Sequence, residues 1–420
     1  MLYQTYELQR AMLNSASAWA SIGADMLASP SNPWNIFGGP HTLGFSPVLG
    51  SALDVFAHAA APRGKPAFGI ESVTVDGKAC PIIESIVLHK SFGNLLRFTR
   101  EGLPTNAPRL LLIAPMSGHY ATLLRGTVAR MAENSEVYVT DWADARTIST
   151  EQGRFDLDDY IDYLIAFLEH IGPGAHMLAV CQPSVPALAA TALMAKADHL
   201  CRPLTLTMMG GPIDSREAPT SVNDLATERP LAWFKNTVIA TVPLQYPGAG
   251  RRVYPGFLQL AGFMSMNLKS HMLSHWSMFK HLVAGDDDSA DATKAFYEEY
   301  RSVCDMTAEF YLQTIEQVFQ KHALPNGTFE HRGVLVDLGD IRDTALLAIE
   351  GERDDISGIG QTRAALTHAT GLAEARKQYF LAPEVGHYGI FNGSKWRNQI
   401  APVVEAWMAR FARVDLRVVA

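Results

Sequence analysis

Apolar residues recur at approximately helical spacing over positions 1–30, at Leu2, Tyr6, Leu8, Met12, Leu13, Trp19, Ile22 and Met26, and predict one amphipathic helix. The segment 30–66 carries Pro30, Pro33, Pro40, Pro47, Pro62 and Pro66 and predicts irregular chain. Strands are predicted at 67–75 and at 82–100, the second with a turn near Gly93-Asn94. A short continuous apolar run then covers 109–114, the pattern of a strand buried on both faces.

From there helix and strand signals alternate. Helices are predicted at 120–134, 155–170, 184–197, 359–371 and 395–413, and strands at 136–140, 176–180, 204–209, 345–349 and 377–381. Asp156, Asp158, Asp159 and Asp162 gather near the start of the 155–170 helix, where its dipole favours acidic groups. Such alternation implies a doubly wound, mostly parallel sheet with right-handed crossovers. The stretch 210–344 is too long for one crossover and is expected to be an inserted, mainly helical cap. The chain then divides into an N-terminal extension (1–66), a first core part (67–209), the cap (210–344) and a second core part (345–420). The middle of the cap, residues 254–282, is dense in Met and aromatic residues, among them Phe263, Met264 and Trp276. They read either as helix core or as a pliable apolar surface for a bulky substrate, since Met adapts to irregular shapes.

Composition narrows the picture. Hydrophobic residues make up 48% of the 420 and charged ones 19%, enough apolar material for a large core. The net charge of −8 argues against a nucleic-acid binder. No apolar run reaches the length of a membrane span, and the N-terminus lacks the pattern of a signal peptide. Cys80, Cys181, Cys201 and Cys304 form neither a zinc spacing nor a disulfide scaffold, and a reducing cytoplasm is expected.

One of these cysteines stands apart. Ala179-Val180-Cys181-Gln182-Pro183-Ser184 joins an apolar strand to an alanine-rich helix, the setting of a nucleophile elbow. Such a turn needs small neighbours two positions either side. Ala179 is small, and Pro183 is tolerated in a first helical turn because its missing N–H would be unpaired anyway. Downstream, Gly351-Glu352-Arg353-Asp354-Asp355 follows one core strand and Gly386-His387-Tyr388-Gly389 follows the next. The order Cys, Asp, His at the carboxyl ends of parallel strands is that of the α/β-hydrolases. His387 would take the thiol proton and return it to a leaving alkoxide, and an Asp would set the imidazole tautomer. Asp354 is the preferred acid, with Asp355 as the alternative. The backbone N–H of Gln182 supplies half of an oxyanion hole, and Met116 or Ser117, in the loop after 109–114, supplies the other. His119 reads as a loop residue near the mouth of the site.

The segments VYVTDWADAR (137–146), AVCQPSVPALAA (179–190), EGERDDISG (350–358) and VGHYGIFNGSKWR (385–397) resemble the intracellular polyhydroxybutyrate depolymerases, bacterial α/β-hydrolases with a Cys-His-Asp triad. The likeness runs along essentially the whole chain. It implies Cys181 as nucleophile, His387 as base and Asp354 as acid. It also implies hydrolysis of 3-hydroxybutyrate esters in amorphous polymer, on cytoplasmic storage granules, through an acyl-thioester. Polyhydroxyalkanoate synthases are similar, but their cysteine box is usually glycine-rich. An acyltransferase of that type and a non-catalytic granule-binding protein stand as the alternatives. The sequence does not choose between water and coenzyme A as acyl acceptor, and it is compatible with a homo-oligomer. No cofactor is implied, because no G-x-G-x-x-G or P-loop occurs. His271 and His275 have a spacing that can bind zinc, but no Glu stands between them and they read as packed or capping residues. The acidic run at 286–291 lacks the Gly and terminal Glu of a calcium loop, so no metal is expected.

Overall fold

The parallel strands of the central sheet follow the apolar runs of the sequence. The structure, a computed structural model, describes residues 2–28, 64–260 and 302–412. Three strands, β1 (Ser72–Val75), β2 (Lys78–Lys90) and β3 (Gly93–Arg100), enter as an antiparallel meander. Then β4 (Arg109–Ile113), β5 (Glu136–Trp142), β6 (Ala175–Val180), β7 (Thr205–Met209), β13 (Ala345–Gly351) and β14 (Lys377–Ala382) complete the order β1-β2-β3-β5-β4-β6-β7-β13-β14. Every neighbouring pair from β5 to β14 is parallel. Strands β6, β7 and β13 are buried at every position, as covering both faces of a parallel sheet requires. This is the α/β-hydrolase fold.

The helices between them show why these stretches are helical. After α1 (Leu2–Ala28) and α2 (Arg125–Met131) comes α3 (Leu157–Ile171). It opens on a capping box in which Asp159 N–H donates to Asp156 at 3.1 Å and Asp156 N–H donates to Asp159 at 2.9 Å. It buries Tyr160, Leu164, Phe167 and Leu168 on one face. Its neighbour α4 (Ser184–Lys196) has no polar face through most of its length, and Ser184 to Ala192 are all buried. A helix apolar all round belongs in the interior.

Several elements differ from expectation. The hairpin between β2 and β3 turns at residues 91–92, and Gly93 lies in β3. Glycine stands there because Gly93 pairs with Trp142 across the sheet, and a Cβ would lie 2.8 Å from the indole. The predicted 359–371 helix shortens to α8 (Ala364–His368). The final helix becomes a helical turn at Gly393–Lys395, a wide π-type turn at Trp396–Ile400 and then α9 (Ala401–Phe411). Pro402, which has no N–H to give back to the preceding turn, accounts for the break.

Between β7 and β13 the described residues are less helical than expected. They form α5 (Ser221–Glu228), α6 (Leu231–Thr237) and α7 (Ala308–Thr314), the last continued by a π-type turn. They also form a three-stranded sheet of β8 (Ala240–Thr241), β9 (Arg252–Tyr254) and β10 (Met306–Thr307), and a ribbon of β11 (Glu330–His331) and β12 (Val334–Leu335). Strands of two or three residues are too short to show an alternation.

Helix α1 docks through its first turns. Tyr3 O–H donates to Asp305 at 2.6 Å, and the Tyr6 ring stacks on Phe257 at 3.8 Å between centroids. Its later apolar positions do not face the core: Met12 is 65% and Trp19 75% exposed, whereas the small residues Ala20 and Ala24 are buried.

Candidate active site

The chain reverses its strand order at β4, which lies between β5 and β6. Crossovers leave such a point on opposite faces of the sheet, and a crevice opens outside the carboxyl ends of the strands. The loop after β4 carries Met116 and Ser117, and the turn after β6 carries Cys181.

Cys181 has φ +66°, in the left-handed region that residues with a Cβ seldom adopt. The turn is held by its N–H, which donates to Met209 O at 2.7 Å, and by Ser184 N–H, which donates to Cys181 O at 3.0 Å. Strain of this kind persists only where the surroundings impose it, and it projects the side chain from the tip of the turn. The space for the turn comes from an unexpected source. A Cβ on Gly211 would lie 2.2 Å from Ser184 and 3.0 Å from Cys181 O. The close approach is therefore made possible by the strand next door, as well as by Ala179 and Pro183.

Asp354 and His387 meet behind the cysteine. His387 Nδ1 and Asp354 Oδ2 are 2.8 Å apart, with side-chain exposures of 5% and 0%. The other carboxylate oxygen of Asp354 accepts from Ile356 N–H and Ser357 N–H, both at 2.9 Å, so the acid is fixed on both sides. Asp355, the next residue, is exposed. With Nδ1 engaged by Asp354, the remaining ring nitrogen of His387 is the one left for the Cys181 sulfur, whose charge acts on the ring. Burial by itself disfavours the imidazolium. The negative charges of Cys181 and Asp354 outweigh it, and His387 holds its proton well above the ordinary histidine value.

A glycine that the sequence reading did not single out makes room for this pair. Gly210 has φ +60°, and a Cβ on it would lie 2.7 Å from Ile390 and 3.2 Å from both Asp354 Oδ2 and His387 Cε1. The signal was the Gly210-Gly211 doublet directly after a core strand. Gly210→Ala is expected to lower kcat for a soluble ester by about tenfold or more and to cost roughly 1–2 kcal/mol of stability. Steady-state kinetics and chemical denaturation of the variant check both; wild-type kcat would show that the pair tolerates the methyl group.

The thiol opens on a cleft of about 420 Å³, within the range of small-molecule sites. Met116, Ser117 and Gln182 line it beside Cys181, and Phe234, Tyr254 and Tyr311 form part of its mostly apolar wall. Both residues expected for the second oxyanion donor thus reach the cleft. His119 lies in the loop after β4, 4% exposed and paired with Val303, and its carbonyl accepts from the Cys304 thiol at 3.7 Å. Phe263, Met264 and Trp276, expected on the cap, lie outside the described residues, as do His271, His275 and the acidic run 286–291. Among the described residues no cluster of His, Cys, Asp or Glu could hold a metal ion, and no helix is long and apolar enough to cross a membrane.

Residues 210–412 match the family described as PHB de-polymerase C-terminus. No curated protein sequence matches the chain. Among solved structures, the chain is similar to an esterase from Thermogutta terrifontis (12% identity, 79% of this chain and 99% of that one covered, TM-score 0.43). It is also similar to a monoacylglycerol lipase from Paleococcus ferrophilus (12%, 76% and 99%, 0.43). A third is 2-hydroxy-6-oxo-6-phenylhexa-2,4-dienoate hydrolase from a Rhodococcus species (12%, 79% and 99%, 0.41).

Proposed function

Starting from a chain whose residues 210–412 belong to the polyhydroxybutyrate depolymerase family, and which is a carboxylic ester hydrolase on the α/β-hydrolase fold, we propose that it degrades storage polyester through Cys181, His387 and Asp354. The observation that carries the reading is Cys181, held at φ +66° at the end of β6, together with the buried His387–Asp354 pair whose imidazole its charge influences.

In this reading His387 and Cys181 share one proton, with the thiolate and imidazolium as the reactive form. The Cys181 sulfur attacks an ester carbonyl carbon, and the carbonyl electron pair moves onto oxygen. The Gln182 N–H and an N–H of the Met116-Ser117 loop stabilise that oxyanion. As the tetrahedral intermediate collapses, the C–O bond breaks and His387 gives its proton to the leaving alkoxide, releasing a hydroxyl-ended chain. His387, now neutral, takes a proton from water. The hydroxide adds to the thioester carbonyl, and the C–S bond breaks to return the thiolate and free acid. Asp354 keeps the Nδ1 proton in place throughout and balances the imidazolium charge.

The mostly apolar cleft suits a polyester segment, which presents methyl groups and ester oxygens and no charge except at its ends. The substrate we infer is amorphous poly(3-hydroxybutyrate) at the surface of cytoplasmic granules, in a reducing compartment that keeps the thiol free. Purified protein added to native amorphous granules is expected to release 3-hydroxybutyrate and its short oligomers, measured by chromatography. Hydrolysis of p-nitrophenyl butyrate with no release from granules would leave an esterase and remove the polymer from the reading.

A further inference from the structure

Glu350 lies at the end of β13, one residue before Gly351, and is wholly buried. No part of the mechanism above uses it, yet four donors converge on its carboxylate. Thr362 N–H donates to one oxygen at 2.7 Å and Arg363 N–H donates to the same oxygen at 2.9 Å. Gly360 N–H donates to the other at 2.8 Å, as does Tyr379 O–H at 2.7 Å. A carboxylate is unfavourable inside a protein unless such partners replace its water, and here they come from specific places.

Three of the four donors stand at the far end of the loop that Glu350 itself begins. The loop leaves β13 at Gly351, carries Asp354, and returns at Gly360 to be clamped onto the residue before its start. A side chain thus closes the acid-bearing loop into a ring. The fourth donor, Tyr379, is on β14, the strand that leads to His387. The clamp also reaches the glycine doublet. Thr362 Oγ1 donates to Gly211 O at 3.0 Å and accepts from Gly211 N–H at 2.8 Å. Gly210, its neighbour, is the residue whose bare Cα leaves room for Asp354 and His387. One carboxylate therefore ties together the acid loop, the glycine doublet after β7 and the strand before the histidine.

We propose that Glu350 is a positioning residue that holds Asp354 in register with His387. The proposal rests on the reading of Asp354 as the acid of the triad. Glu350→Gln keeps the size of the side chain but turns an amide NH₂ toward donors it cannot accept from. The experiment is a double-mutant cycle on soluble, folded protein, with p-nitrophenyl butyrate as substrate: wild type, Glu350→Gln, Asp354→Ala and the pair.

Glu350→Gln is expected to lower kcat by about 10–100-fold with KM changed less than about threefold. In the Asp354→Ala background the same substitution is expected to lower kcat less than about twofold, because the group it positions is gone. An equal loss in both backgrounds would overturn the proposal and leave Glu350 as a support of the fold. Should Glu350→Gln not fold, Tyr379→Phe removes one donor only. It is expected to cost about 2–5-fold in wild type and nothing beyond error with Asp354→Ala, and an equal cost in both overturns the proposal likewise. If Asp354→Ala alone kept the wild-type kcat, the triad reading itself would fail, a result distinct from additivity within a working triad.

Discussion

Cys181→Ala is expected to lower ester hydrolysis by about ten-thousand-fold or more, because it removes the atom that forms the covalent bond and leaves only the binding and polarising groups. The loss should appear alike with granules and with p-nitrophenyl butyrate, since both would use the same thiolate. The fold should survive. The turn is held by Cys181 N–H on Met209 O and by Ser184 N–H on Cys181 O, backbone bonds that alanine retains. Circular dichroism and a melting curve close to wild type would therefore accompany the lost activity. Mass spectrometry after brief exposure to a short ester should find an acyl group on Cys181 in wild type and none in the variant. Sustained turnover by the alanine variant would end the covalent mechanism. Polymer growth from 3-hydroxybutyryl-CoA by the wild type would redirect it to acyl transfer.

What the sequence revealed and what it hid divides along physical lines. The apolar runs predicted at 109–114, 176–180 and 345–349 were legible as strands of a parallel sheet, because a strand covered on both faces leaves few polar positions to confuse the pattern. Cys181, the two candidate acids and His387 were legible because turns after such strands are few and each candidate stood directly in one. The residues that let those turns coexist were not. Gly210 and Gly211 matter for atoms they lack, and the neighbours that would collide with a Cβ, Ile390 and Ser184, are far away in sequence. Glu350 stood only as the first residue after the predicted strand 345–349 and suggested no role, since its four donors lie ten or more residues on. The helical spacing of α1 was visible, but not which face would dock. Tyr3 and Tyr6 bind because Asp305 and Phe257 come to meet them, and nothing in the first thirty positions announces either partner.

Asp354→Asn carries the second-largest expected effect, a loss of about 10²–10⁴-fold in kcat with the fold intact. The asparagine side chain can keep its carbonyl oxygen on Ile356 N–H and Ser357 N–H, so it presents its NH₂ where Asp354 Oδ2 faced His387 Nδ1. Two donors cannot face each other, so the ring moves its single proton from Nδ1 to the nitrogen facing Cys181. In that tautomer it can no longer accept a proton from the thiol or from water. The pH profile gives a separate reading. In the wild type burial lowers the basicity of His387, but the charges of Cys181 and Asp354 raise it further, to a net value well above ordinary histidine. The alkaline limb of kcat/KM for the free enzyme reports the loss of that imidazolium proton and should lie on the high side. Removing the Asp354 charge withdraws one of the two groups that hold the proton, so the limb should move to lower pH in the asparagine variant. A lowered kcat with the limb unmoved would mean that Asp354 orients the ring without sustaining its charge, and that Cys181 alone keeps the imidazolium protonated.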